Sequence, residues 1–175
     1  MNKSTTVLVV DDHRMVCDAL VALVEKTGVC KKAYSAYSGE DALDILHRER
    51  ISIALVDARM PGLSGIALAK IMEHDFPLIK IIGMTSYDDT ETLHEILQLN
   101  PAGILLKRST NSSEISACLK AVRDGKNYFT EAIQQRIQKV QLAPARLRTH
   151  FTNREIEVLK LLSEGQSSKL IAEHL

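Results

Sequence analysis

The 175 residues allow one domain of ordinary size plus a remainder, and a composition of 45% hydrophobic and 25% charged residues excludes wholesale disorder and fibrous classes. Lys plus Arg equals Asp plus Glu at 22 each, which also excludes a uniformly basic nucleic-acid coat. The charge is nevertheless sorted: residues 1–100 carry 15 acids and 10 bases, residues 101–150 carry 3 and 9, and residues 151–175 carry 4 and 3. An acidic site followed by a basic surface is implied, although charge runs are more often solvated faces than nucleic-acid patches. Cys17, Cys30 and Cys118 are odd in number and far apart, which reads as free thiols in a reducing compartment. The six histidines form no His-x-x-x-His pair, which argues against zinc. No apolar run approaches the ~20 residues of a membrane span. The N-terminus enters a strand too soon for a signal peptide. A soluble, cytoplasmic protein with no membrane contact is expected.

In chain order, short β-rich apolar runs at 6–10, 32–36, 52–56, 79–84 and 102–106 alternate with stretches of helical period at 14–26, 40–48, 65–73, 89–99 and 113–123. In the first of these, Val16, Ala19, Leu20, Leu23 and Val24 share one face. Near-continuous apolar strands alternating with amphipathic helices predict a five-stranded parallel, doubly wound α/β domain. Ser38-Gly39 and Asp88 are placed to start helices, Asn100-Pro101 to stop one, and Gly125 to close the fifth. This first domain spans 1–125. Residues 126–150 read as a linker holding one amphipathic piece near 131–140, then the basic segment LAPARLRTH. From Phe151 a new helical unit begins, with Thr152 and Glu155 spaced as a capping box. Gly165 ends that helix.

The polar residues that break the apolar strands fall at strand ends: Asp11 and Asp12 after the first, Asp57 after the third, Thr85 after the fourth, Lys107 after the fifth. Ligands of open parallel sheets bind at that edge. A lone Asp there is usually a loop cap, and a lone Lys a solvated flank. Five such residues at four strand ends are harder to attribute to caps. Three converging carboxylates would repel one another, so a hard divalent cation, Mg²⁺, is expected. Thr85 and Lys107 would offset charge as a phosphoryl group moves to one carboxylate.

The segments VLVVDDH, LVDARMPGLSG, GMTSYDD and GILLKR resemble the signature segments of two-component response-regulator receiver domains. The resemblance implies a flavodoxin-like fold and phosphorylation of Asp57 by a histidine kinase. It implies Mg²⁺ held by Asp12, Asp57 and the Arg59 backbone carbonyl, with Asp11 acting through water, and phosphoryl oxygens gripped by Thr85 and Lys107. Arg59 and Tyr87, two residues beyond the nucleophile and two beyond Thr85, are placed to tune the lifetime of the phosphoryl group. Ile104 stands where the family commonly has Tyr or Phe, Arg108 where many members have Pro, and Asn100-Pro101 where Ala-Gly is more usual. The aromatic switch is therefore absent or relocated.

FTNREIEVLKLLSEGQSSKLIAEHL resembles the opening half of a LuxR-type helix-turn-helix, the output module of the NarL/FixJ subfamily, with Asn153 in place of Pro and Leu170 in place of Glu. The 151–175 segment would then be the N-terminal part of a DNA-binding domain, with the recognition helix expected after Leu175. The implied protein is a phosphorylation-switched transcriptional regulator and not a turnover enzyme. Its partners would be a histidine kinase, DNA and a second copy of itself on phosphorylation. Two alternatives stay open at this point. One is a receiver acting only through protein contacts; the other is an Asp-nucleophile phosphatase, whose usual Asp-x-Asp is broken here by Asp57-Ala58-Arg59.

Overall fold

The computed structural model describes residues 5–86, 90–107 and 111–142. Tyr87, the proposed cap Asp88, Arg108 and the whole 151–175 segment lie outside these described residues. The chain divides into two units, residues 1–136 and 137–175. In the first unit the elements run β1 (Thr6–Val10), α1 (Arg14–Lys26), β2 (Lys32–Ala36), α2 (Gly39–Arg48), β3 (Ile53–Asp57), α3 (Gly65–Asp75), β4 (Lys80–Thr85), α4 (Thr90–Gln98), β5 (Gly103–Leu106), α5 (Ser112–Arg123) and β6 (Tyr128–Phe129). A last helix, α6 (Glu131–Leu142), begins two residues later.

All strand pairs are parallel, in the order β2-β1-β3-β4-β5-β6. The chain moves outward from β1 to β2, then returns to place β3 on the other side of β1. The direction of winding therefore reverses between β1 and β3, and a crevice opens at their carboxyl ends. The sheet has six strands where the hydrophobic pattern predicts five. The extra strand is the pair Tyr128–Phe129, which aligns with Gly103 and Ile104 of β5. Two residues are too few for any periodicity to register.

Alternation along the strands builds two cores. Val7, Val9, Ile53, Leu55, Ile82, Met84 and Leu105 face α1 and α5, meeting Cys17, Leu20, Val24, Ile115, Cys118, Leu119 and Val122. Leu8, Val10, Ala54 and Val56 face the other way, onto Ala42 and Leu46 of α2 and Leu68 and Met72 of α3. Each fully buried Leu, Ile or Val contributes roughly 1.5–3 kcal/mol, so strands apolar on both faces are the main source of stability. Burial pushes the Cys17 thiol up to about 11 and the Cys118 thiol up to about 12, which keeps both inert inside the first core.

Helix starts follow local chemistry. The side chains of Ser38, Ser64 and Asn111 accept from the backbone N–H groups of Asp41, Ala67 and Glu114, capping α2, α3 and α5. Asn100 closes the turn after α4 in the left-handed region at φ 44, as its side chain allows. Gly65 carries the tightest approach: a β-carbon there would lie 1.8 Å from the Asp57 carbonyl oxygen. α3 thus starts hard against the end of β3.

Gly65→Ala should therefore displace α3 or the Asp57 backbone. A loss of about 3 kcal/mol in urea unfolding is expected, at the upper end of overpacking costs. An unchanged unfolding midpoint would show that the loop absorbs the methyl group without strain.

Candidate functional site

The crevice collects its side chains from strands that end together. Asp11 follows β1, and its N–H donates to the Ala36 carbonyl at 3.1 Å. Asp57 is the last residue of β3 and aligns with Met84, so Thr85 stands one residue further along the neighbouring strand. Lys107 follows β5, and its N–H donates to the Thr85 carbonyl at 2.9 Å. Parallel pairing therefore brings together residues separated by up to 96 positions.

Lys107 joins the acids. Its Nζ lies 2.6 Å from Asp11 Oδ2 and 3.0 Å from Asp57 Oδ2. The Asp11 side chain is fully buried and that of Asp57 is 7% exposed, so little solvent screens the triad. Burial raises the Asp57 carboxyl above the usual range, against the hydrogen bond and charge of Lys107 and the Arg59 backbone bond, which lower it. For Lys107, burial disfavours the cation, but bonds to Asp11 and Asp57 outweigh it and hold the ammonium above its ordinary value. Lys107 is thus a fixed positive charge at the strand edge.

On the other flank, the carboxylates of Asp11, Asp12 and Asp57 and the imidazole of His13 each offer one ligand atom, all within 4.8 Å of one another. Asp11 Oδ2 and Asp12 Oδ1 are buried without a properly directed hydrogen bond, although Lys107 Nζ and His13 Nδ1 stand at ion-pair distance from them. Buried carboxylate oxygens left in that state suit a hard cation, which neutralises several at once.

Thr85 is 2% exposed, and its hydroxyl donates to the Ser86 carbonyl at 3.3 Å, a long bond that is readily exchanged. The Arg59 side chain turns to α4: its Nε donates to Thr92 Oγ1 at 2.6 Å, and its Nη2 stands 4.0 Å from Glu91 Oε2 and from Glu95 Oε2. Ile104, at the position of the missing aromatic, is fully buried in β5. Sequence reasoning named the acids, Thr85 and Lys107. It passed over His13, whose signal was adjacency to the Asp pair, and the Thr92 anchor of Arg59, which left no local signal.

A parallel sheet with this winding order, bearing acids and a lysine at its carboxyl edge, defines a receiver-type fold. Residues 7–120 match the response regulator receiver domain, and the chain belongs to that family. Its relatives are regulators of the NarL/FixJ type. Transcriptional regulatory protein YdfI of Bacillus subtilis (strain 168) is 33% identical over 177 residues, covering 98% of this chain and 80% of that protein. Response regulator UvrY of Escherichia coli (strain K12) is 27% identical over 172 residues, covering 97% of this chain and 78% of UvrY. Among solved structures, the RcsB response regulator of Salmonella typhimurium aligns with a TM-score of 0.75 at 24% identity, over 98% of this chain and 83% of that one. Response regulators of this kind are transcription regulators, not turnover enzymes.

The raised Asp57 carboxyl has a sign that can be checked. Below the ordinary carboxylate range Asp57 is protonated in both folded and unfolded chains. As pH rises through its elevated folded value, the folded chain must charge a buried group, and stability falls. Asp57→Asn should therefore melt higher than wild type at pH 7.5, with the difference shrinking towards pH 4. Thermal melts at both values check this, and a variant less stable at neutral pH would mean that Lys107 more than repays the burial.

Proposed function

We propose that Asp57 accepts a phosphoryl group from the phosphohistidine of a cognate histidine kinase, in the presence of Mg²⁺, and that this switches a DNA-binding transcriptional output. The observation that carries the reading is the Lys107 ammonium held between Asp11 and Asp57 beside an acidic cluster. Asp12, Asp57 and the Arg59 backbone carbonyl would hold Mg²⁺, with Asp11 acting through water. The cation would supply charge neutralisation for the incoming phosphoryl oxygens.

The protein's own groups do the remainder. Asp57 attacks the phosphorus with one carboxylate oxygen; the phosphorus–nitrogen bond breaks, and its electron pair stays with the histidine of the kinase. Lys107 moves from Asp57 Oδ2 to a phosphoryl oxygen and keeps its bond to Asp11, so the ammonium never loses a carboxylate partner. Thr85 gives up its long bond to the Ser86 carbonyl and donates to a second phosphoryl oxygen. These donors sit in a buried, preformed edge, where they cost little reorganisation.

The output half of the proposal rests on relatives. RcsB has been captured as two dimers bound to two parallel DNAs. By likeness, the 151–175 segment would open the DNA-binding domain, and phosphorylation would favour a homodimer.

Acetyl phosphate with Mg²⁺ should add one phosphate per chain, seen by intact mass, and Asp57→Asn should add none. Full labelling of the Asn variant would reassign the acceptor. Lys107→Met should cut the labelling rate by about 100-fold, the scale of losing one preorganised charge-stabilising donor.

Arg59 and Tyr87 belong to the same proposal as determinants of phosphoryl-group lifetime. Arg59→Ala, which frees the loop from Thr92, and Tyr87→Ala should each change the dephosphorylation rate severalfold. Unchanged rates in both variants would remove the two residues from the site.

A further inference from the structure

The edge of the sheet opposite the acids, where strands begin and helices end, holds a cavity of about 270 Å³. It opens between the α3–β4 loop, the end of α4 and the turn after α5. Its floor is apolar: Ile79, Ile81, Leu99 and Ala102 are half-buried and Val122 is buried. Its rim is polar and exposed, carrying Glu73, Lys80, Asn100, Lys126 and Asn127. All of these residues belong to the first unit, and the whole of β4 (Lys80–Thr85) separates the cavity from Thr85.

Basic residues near helix C-termini commonly serve to meet the last carbonyls. Here the backbone meets them. The N–H groups of Asp124, Gly125 and Lys126 donate to the carbonyls of Lys120, Val122 and Ala121 at 3.0, 3.1 and 2.9 Å. Those of Leu99 and Asn100 donate to the carbonyls of Ile96 and Leu97. Among the described residues, neither Lys80 nor Lys126 forms an ion pair, and the side-chain amides of Asn100 and Asn127 make no hydrogen bond. Asp124, the acid beside Lys126 in sequence, is taken by Arg123 at 2.9 Å. Four donors at the mouth of the cavity are thus left for a ligand.

We propose that this cavity binds a small organic carboxylate, with its apolar body on the floor and its charge between Lys80 and Lys126. A concave apolar floor with a few donors at its mouth is the general form of a small-molecule site. The volume falls just below the common range of roughly 300–1,000 Å³, which selects one ring or a short chain. Lys80 and Lys126 against Glu73 leave one net positive charge on the rim. A carboxylate, a monoanion near neutral pH, matches that charge. A phosphomonoester, mostly a dianion there, would set its second charge against Glu73.

The test is a titration of the ¹⁵N-labelled whole chain with benzoate and with hexanoate, an aromatic and an acyclic carboxylate, followed through the amide shifts. Saturable shifts at Ile81, Asn100, Ala102 and Lys126 are expected with at least one of them. Benzamide and hexanamide keep the apolar bodies without the charge and should bind about tenfold more weakly. The double variant Lys80→Gln/Lys126→Gln, which changes two exposed side chains, should weaken carboxylate binding about tenfold or more. Ala102→Leu, which fills the floor and keeps both lysines, should abolish binding; if it does not fold, the lysine variant decides alone. Shifts that grow without saturating, shifts centred on Thr85 and Lys107, or binding unchanged in the lysine variant would each overturn the proposal. Phenyl phosphate binding as tightly as benzoate would overturn the assignment to carboxylates.

Discussion

One buried ammonium holds the carboxyl edge of the sheet together. Lys107 Nζ touches Asp11 Oδ2 at 2.6 Å and Asp57 Oδ2 at 3.0 Å, linking the ends of β1, β3 and β5. Buried ion pairs are weak sources of stability, because desolvation consumes most of the Coulomb gain. Removing Lys107 is another matter, since it leaves Asp11 and Asp57 buried side by side without their counter-charge. The edge is therefore poor as a stabilising device and well suited to function. The ammonium opposes the burial that favours the protonated form of the Asp57 carboxyl, and it supplies a cation placed between two carboxylates.

The fold exists to present that edge. Parallel strands buried on both faces bring residues from opposite ends of the domain to one line, and the reversal between β1 and β3 leaves a gap there that no crossover helix fills. Close packing extends the constraint to the elements behind it. α3 begins against the Asp57 carbonyl at Gly65, and α4 sits so near β4 that a β-carbon on Gly83 would lie 2.7 Å from Ile96 Cγ2. Arg59 links the two regions, with its backbone beside Asp57 and its side chain on Thr92. A change at the edge thus has a short, continuous route to α4, although Ile104 leaves no aromatic side chain in β5 to rotate.

Much of this was legible in the sequence because it is written in local periodicity. The central strands are nearly continuous in apolar residues, the helices apolar at every third or fourth, and the two patterns fall within a residue or two of the observed ends. β3 illustrates the error: its pattern marks 52–56, whereas the strand runs Ile53–Asp57, because Asp57 still pairs with Met84 despite its charge. β6 escaped because two residues carry no period. The acids, Thr85 and Lys107 were legible as polar breaks at strand ends, since strand order alone brings such ends together. The direction of the Arg59 and His13 side chains was not. The first depends on where α4 lies, about 33 residues along, and the second on backbone geometry at a helix start.

The most direct test of the central claim, that the edge is poised for a phosphoryl group on Asp57 with Lys107 changing partners, is a crystal structure of the chain with Mg²⁺ and trifluoroberyllate. Expected are beryllium on an Asp57 carboxylate oxygen, Mg²⁺ on Asp12, Asp57 and the Arg59 backbone carbonyl with Asp11 reached through water, and Lys107 Nζ on a fluorine with its bond to Asp11 kept. Trifluoroberyllate on another residue, or Lys107 still paired with Asp57 Oδ2 in the complex, would contradict it.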